Sequence, residues 1–326
     1  MDKVLVFVET KGDEPRKASL ELLCEAEKLA ASGRFSVEAV CFGAMSDVLK
    51  GRLLSCVRRL VRFTDPELAA YSPEGYARAL AGYAAETGAR MIVAGATGIG
   101  RDFLPRVAVM LGTGMVSDVT GANWFDEPMT FVRPMFGGKV FAEVAFPASP
   151  VVVTARPNSF AMDIPEGVNG EYEEKAAGSL GGAIHTRVVR VEETKGDAVD
   201  LTEADLIVAG GRGLKAAENF KLIEDLAAAI GGTVGATRSV VDAKWRDQAD
   251  QIGKSGKTVS PKLYIGAGIS GAIHHIMGMD TSKVVLAVNR DPNAIIFNYA
   301  NYGIVGDLFE VLPAMTEEIR KRKERG

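Results

Sequence analysis

The apolar run Leu263–Ala267 ends inside a glycine-spaced turn, Gly266-x-Gly268-x-x-Gly271, and a second apolar run follows, closing at Asn289. Strand, glycine turn, helix and strand in that order make a parallel βαβ unit, because parallel neighbours need a crossover and cannot be joined by a hairpin. Such a unit commits the surrounding chain to a layered α/β fold. It also places backbone N–H groups at a helix N-terminus, where they can cradle a phosphate. The turn carries Ser270 and His275. A nicotinamide-binding unit normally ends its second strand in Asp or Glu, to hold the ribose hydroxyls. Here that strand ends in Asn289, and Asp291 follows two residues later before Pro292. The glycine turn alone therefore points to a dinucleotide without deciding which one.

The rest of the chain supports the fold class. Val4–Glu9 is a short apolar run of the kind buried on both faces, and Ala18–Ala31 follows with Leu22, Ala26 and Leu29 at helical spacing before Gly33. Strands are expected at Val37–Phe42, Val57–Phe63 and Met91–Ala94, and helices at Pro73–Glu86 and Arg101–Leu111. This is the alternation of a doubly wound, mostly parallel sheet. From Trp124 to Thr154, short runs broken by Pro and Gly suggest antiparallel hairpins. Asn158–Gly182 is polar and reads as irregular, leading to a charged joint at Glu192–Ala198. A second α/β unit starts at Asp205–Ala209, turns through Gly210–Gly213, and continues into a helix over Ala216–Ile230 closed by Gly231-Gly232. Leu308–Arg325 reads as a terminal helix with a solvated, charged face. The expectation is α/β with two domains, residues 1–195 and 196–326. Each is built on a doubly wound, mostly parallel sheet, the second Rossmann-like.

Bulk properties remove several function classes. A net charge of −4 and a pI near 5.6 argue against nucleic acid as a partner. Cys24, Cys41 and Cys56 are widely spaced with no CxxC, so neither a disulfide framework nor a metal site is expected. The chain enters its first strand at once and no apolar run approaches the roughly 20 residues of a membrane span. The sequence thus reads as a cytoplasmic protein without stable membrane insertion.

Three further segments carry polar groups suited to a ligand. Arg212, in Gly210-Gly211-Arg212-Gly213, can grip a phosphate through its forked donors, or simply sit in a surface turn. Thr237-Arg238 closes a short strand, at the end where open α/β sheets bind ligands. The loop Gln251–Lys257 contains Gly-Lys-Ser but lacks the spacing of an ATPase phosphate loop. It is too polar and glycine-rich for a core, which suggests that it runs along a ligand. His274 and His275 are adjacent, about 100° apart on a helix, and cannot chelate one metal together. No nucleophile–base pair is apparent, so no catalytic residue is assigned.

Taken together, these blocks resemble the alpha subunit of electron transfer flavoprotein. The resemblance is carried by VAGGRGLKAAENFKLIEDLA, GATRSVVDA, LYIGAGISGAIHH and VNRDPNAIIFNYANYGIVGDLFEVLP, and more loosely by GRDFLPRVAVMLGTGMVSDV and RPMFGGKVFAEV in the first half. It implies FAD held by the C-terminal domain, an N-terminal domain packed on a beta subunit in a heterodimer, and dehydrogenases as electron donors. It further implies that Arg212, Ser270 and Asn289 meet the pyrophosphate or adenosine end, with Asp307 near the adenosine. Arg238 would lie over the flavin ring, Ser255 near N5 and His275 near O2. Thr237, Ile252, Gly253, Lys254, Gly271, Ala272, Ile273, His274 and Leu308 complete the implied cofactor-binding set. Donors or positive groups near N1 and O2 would stabilise the charge of reduced flavin.

The family usually has Gln at Lys254, Thr at Ser255 and Gln at His274. Lys254 would raise the flavin potential if its side chain faces the ring. A bifurcating complex would need a second flavin in the beta subunit, and a nicotinamide-dependent oxidoreductase on the same glycine turn is the competing reading.

Overall fold

The computed structural model describes residues 1–165, 167–178, 180, 182, 184–186, 188–191 and 200–325; the expected joint at Glu192–Ala198 lies outside the described residues. The chain forms two compact units, Met1–Met135 with Phe141–Thr194, and Phe136–Val140 with Lys195–Gly326.

The first unit is built from β1 (Asp2–Phe7), α1 (Lys17–Ala31), β2 (Phe35–Phe42), α2 (Asp47–Leu54), β3 (Arg59–Phe63), α3 (Pro73–Thr87), β4 (Met91–Gly95), α4 (Gly98–Met110) and β5 (Met115–Val119). It continues through β6 (Gly121–Asn123), β7 (Met129–Met135), β8 (Val140–Phe146), β9 (Val151–Ala155) and β10 (Glu171–Lys175). Its main sheet has the order β10-β3-β2-β1-β4-β9-β5, and every pairing in it is parallel. Val4, Leu5 and Val6 are buried because helices cover both faces. Helix starts follow their sequence signals. The Ser72 and Thr97 hydroxyls accept from the Gly75 and Gly100 N–H groups and cap α3 and α4.

Two expectations in this unit fail. The hairpin reading holds for β6 and β7, which are antiparallel. Val151–Ala155, however, is a buried central strand lying parallel between β4 and β5. The Pro and Gly breaks ahead of it hid a crossover. Glu171–Lys175, expected to be irregular, is a parallel edge strand on β3. It has no apolar run to reveal it. Instead, Arg59 pairs with Glu173 and Arg62 with Glu174 across the strands.

The second unit contains β11 (Leu206–Gly210), α5 (Lys221–Ile230), β12 (Thr233–Thr237), α6 (Arg238–Asp242), β13 (Gln251–Ile252), β14 (Leu263–Ala267), α7 (Ile273–Ile276), β15 (Val284–Asn289), β16 (Tyr302–Val305) and α8 (Leu308–Arg325). The sheet order is β13-β12-β11-β14-β15-β16, again parallel throughout. Alternate residues feed two cores. Ile207, Tyr264 and Ala287 join one, while Val208, Ile265 and Val288 pack with Ile223 and Leu226 of α5 and Leu312 of α8 in the other. This is the doubly wound α/β arrangement expected.

Three local differences matter for the site. The helix expected from Ala216 begins only at Lys221, after a 3₁₀ turn over Ala217–Phe220. Gln251 and Ile252 of the polar loop are buried as strand β13, so the segment is partly core. The helix after the glycine turn is a single turn, cut short near Gly278. A Cβ on Gly278 would stand 2.4 Å from the Gly253 nitrogen, and this close backbone approach replaces a longer helix.

Candidate functional site: the switch-point cleft of the second unit

From β11 the chain builds β12 and β13 on one side, then crosses over to build β14, β15 and β16 on the other. The loops leaving β11 and β14 therefore diverge, which opens a crevice at the carboxyl ends of those strands. The two loops touch at their bases. The Gly211 N–H donates to Ala267 O and the Gly213 N–H to Gly268 O, both at 3.0 Å. Gly268 has φ +63°, and a Cβ there would stand 2.8 Å from the Gly213 Cα; one on Gly213 would stand 2.6 Å from the Gly268 Cα. Side chains at either position would prise the turns apart, so glycine is required for the floor of the crevice.

Above this floor lies a cleft of about 510 Å³. Five chain segments line it: 211–213, 237–242, 252–255, 268–275 and 289–294. A smaller cleft of about 120 Å³ shares Arg212, Gly213, Gly268 and Asn289 with it and extends to Asp307 and Leu308. The pair forms one trough. Arg212 is exposed, with its guanidinium 5.4 Å from the centre of the Trp245 ring. Arg238 is exposed too and pairs with Asp242 at 3.4 Å, one turn along α6. Thr237 and Ser239 share a hydroxyl hydrogen bond of 3.1 Å, and Ser255 Oγ accepts from the Gln251 amide at 3.1 Å.

Asn289 ties the turn to the sheet. Its amide donates to Ile269 O at 2.9 Å, and its oxygen accepts from the Asp291 N–H at 3.0 Å. His275 is almost fully buried. Nδ1 lies 3.1 Å from Ile252 O, and Nε2 lies 2.7 Å from the hydroxyl of buried Tyr264. A carbonyl only accepts, so Nδ1 carries the proton and Nε2 accepts from Tyr264. Burial pushes the His275 pKa down to about 4, against a smaller upward pull from its bond to Ile252, so the ring is neutral near pH 7.

Two family models match the chain. One, the electron transfer flavoprotein domain, matches residues 4–183; the other, the electron transfer flavoprotein FAD-binding domain, matches residues 200–280. The chain is 40% identical over 324 residues to the electron transfer flavoprotein subunit alpha of Thermoanaerobacterium thermosaccharolyticum, covering 98% of both proteins. It is 37% identical over 331 residues to the subunit of the same name from Bacillus subtilis, again covering 98% of both. It is 36% identical over 321 residues to Protein FixB of Clostridium saccharobutylicum, covering 98% of this chain and 96% of that one. The chain belongs to the electron transfer flavoprotein alpha subunit family. Its role is electron transfer, and its cofactor is FAD.

The trough suits an electron transfer flavoprotein's FAD. Its floor admits no Cβ, and it offers a guanidinium together with several hydroxyls and amides. Of the residues expected from sequence, Arg212, Thr237, Arg238, Ile252, Gly253, Ser255, Ser270, Ala272, His274, His275 and Asn289 line the main cleft. Asp307 and Leu308 line the smaller one. Lys254, Gly271 and Ile273 line neither. Lys254 is exposed, and the loop attaches there through its backbone N–H, which donates to His274 O at 2.7 Å. The implied set lacks eight further lining residues: Gly211, Gly213, Gly268 and Asp291, which the sequence showed only as turn residues, and Ser239, Asp242, Ile269 and Ala294. The i, i+4 spacing of Arg238 and Asp242 was the available signal for Asp242. Among the described residues, no helix is long and apolar enough to cross a membrane.

Proposed function

We propose that this chain pairs with a beta subunit in the cytoplasm and carries electrons on FAD from dehydrogenases, acyl-CoA dehydrogenases among them, to a downstream acceptor. Bound FAD supplies the redox chemistry, accepting and releasing electrons. The residues of this chain bind, orient and shield it. Arg212 and the Gly211–Gly213 and Gly268–Ser270 turns would hold the pyrophosphate, and Asp307 with Leu308 the adenosine end. Thr237, Arg238, Ser255 and the 272–275 turn would surround the flavin ring. There Arg238 would favour the negative charge that reduction brings. The observation that carries this reading is the continuous trough at the sheet's switch point, gathered from segments far apart in sequence.

The test is the absorption spectrum of the purified two-subunit complex after desalting. A flavin band should persist and bleach when a dehydrogenase and its substrate are added. A colourless complex that reduces nicotinamide with a substrate would replace this reading with the oxidoreductase one. Counting flavins per heterodimer extends the test: one supports a simple carrier, and two support a bifurcating complex.

A further inference from the structure

Arg212 lines both clefts of the second unit and so stands at their junction. Among the described residues its side chain has no hydrogen bond or ion pair; its partner is the Trp245 ring, 5.4 Å from the guanidinium. The loop that carries Trp245 makes the reverse contact as well. Arg246 lies 5.6 Å from the Phe220 ring, so segments 212–220 and 245–246 each give the other one cation and one ring. The two cations differ in charge balance. Arg246 meets the carboxylates of Glu224 at 2.7 Å and Asp250 at 2.8 Å, which offset its charge. Arg238, the other guanidinium of the main cleft, is paired with Asp242. Arg212 keeps its charge whole.

We propose that Trp245 is a positioning residue for the cofactor: its ring seats Arg212 at the junction of the two clefts without cancelling its charge. A carboxylate would hold the guanidinium by occupying its N–H donors and offsetting its charge. An aromatic face attracts the cation and leaves both the charge and the edge donors open to a phosphate. Trp245 is itself fixed. It is half-buried against the core that holds Phe220 and Val240, and its backbone N–H donates to Val240 O at 3.1 Å. The inference rests on the FAD reading of the cleft, in which Arg212 holds the pyrophosphate. It adds to that site a residue that lines neither cleft.

A double-substitution cycle in the two-subunit complex tests the seat. Arg212→Gln should release FAD about thirtyfold faster, the effect of one hydrogen-bonded charge on the cofactor. Trp245→Leu keeps apolar bulk but loses the ring, and should release FAD about fivefold faster; Trp245→Phe should stay within about twofold of native. Because Trp245 acts through Arg212, adding Trp245→Leu to Arg212→Gln should change the rate by no more than about twofold. Effects that multiply in the double variant would overturn the proposal, since Trp245 would then support the cleft independently of Arg212. A Trp245→Leu complex with the native release rate would overturn it too, as would a Phe variant no better than the Leu one.

If Trp245→Leu does not fold, the native complex decides. In the FAD-loaded protein the δ-methylene and Nε–H protons of Arg212 should resonate upfield of ordinary arginine positions, shifted by the indole ring current. Ordinary positions would overturn the proposal by themselves. If the native complex holds no FAD, or if Arg212→Gln releases it at the native rate, the reading of Arg212 at the pyrophosphate has failed and the proposal falls with it. Upfield shifts would then show the Trp245 contact intact, which separates that failure from a failure of the seat itself.

Discussion

At the scale of residues, Arg238 and Asp242 oppose each other on the rim of one cleft. A guanidinium close to a flavin ring favours the reduced, more negative cofactor, and a carboxylate 3.4 Å away partly cancels it. Both side chains are about two-thirds exposed, so solvent and salt screen the pair and its effect is modest. Asp242→Asn removes the opposing charge while preserving shape. The flavin midpoint potential should rise by about 30 mV, less at high salt, because each 59 mV is a tenfold change for a one-electron couple. A fall in potential, or an equal rise in a background of Arg238→Ala, would show that Asp242 acts on something other than Arg238. Lys254 was expected to raise the flavin potential if its side chain faces the ring. It does not line the cleft, whereas Arg238 and Asp242 do, so the prediction is made for that pair.

At the scale of elements, Asp307 has a local task as well as a place in the smaller cleft. Its carboxylate accepts from the Phe309 N–H at 2.9 Å, and its carbonyl accepts from the Glu310 and Val311 N–H groups, so it caps the N-terminus of α8. Asp307→Ala should lower stability by about 1 kcal/mol in denaturant titration, whereas Asp307→Asn, still a good cap, should stay within about 0.5 kcal/mol. If Asp307 also contacts the adenosine end, both variants will weaken FAD binding; if it only caps, the Asn variant will bind normally. The elements themselves were legible where periodicity marked them, as in α1 and β14, and most sharply where a capping residue agreed with it, as Ser72 does in α3. Legibility failed where partners, and not the segment itself, decide the state. Glu171–Lys175 is a strand because Arg59 and Arg62 face it. Ile273–Ile276 is a single turn because the Gly278 backbone must meet Gly253. Gln251 and Ile252 are core because β12 pairs with them. The glycine turn and its polar neighbours could be read directly, but Tyr264 could not, since a buried tyrosine inside an apolar strand shows its polar end only once His275 is placed beside it.

At the scale of the whole molecule, the two main sheets share the order of their first four strands, third-second-first-fourth, but differ at the point where that order reverses. In the first, the reversal lies between β1 and β4. Buried Glu9 accepts from the Thr97 hydroxyl and lies 3.4 Å from the Arg16 guanidinium, so a carboxylate of the protein itself stands beside the N-terminus of α4. In the second, the reversal between β11 and β14 is floored by glycine and opens into the trough. Both sheets thus have a switch point, and the cleft of about 510 Å³ opens at the second. This asymmetry predicts where FAD should stabilise the molecule. A ligand that binds only the folded state adds about 2.7 kcal/mol at 100 times its dissociation constant, and the gain belongs to the structure that must open to release it. Removing FAD from the two-subunit complex should raise amide exchange at residues 211–214, 237–242, 251–255 and 268–275. Exchange in β1, β2 and β4 of the first unit should stay unchanged. Protection lost equally from both units, or from the first alone, would mean that the trough of the second unit is not where FAD is held.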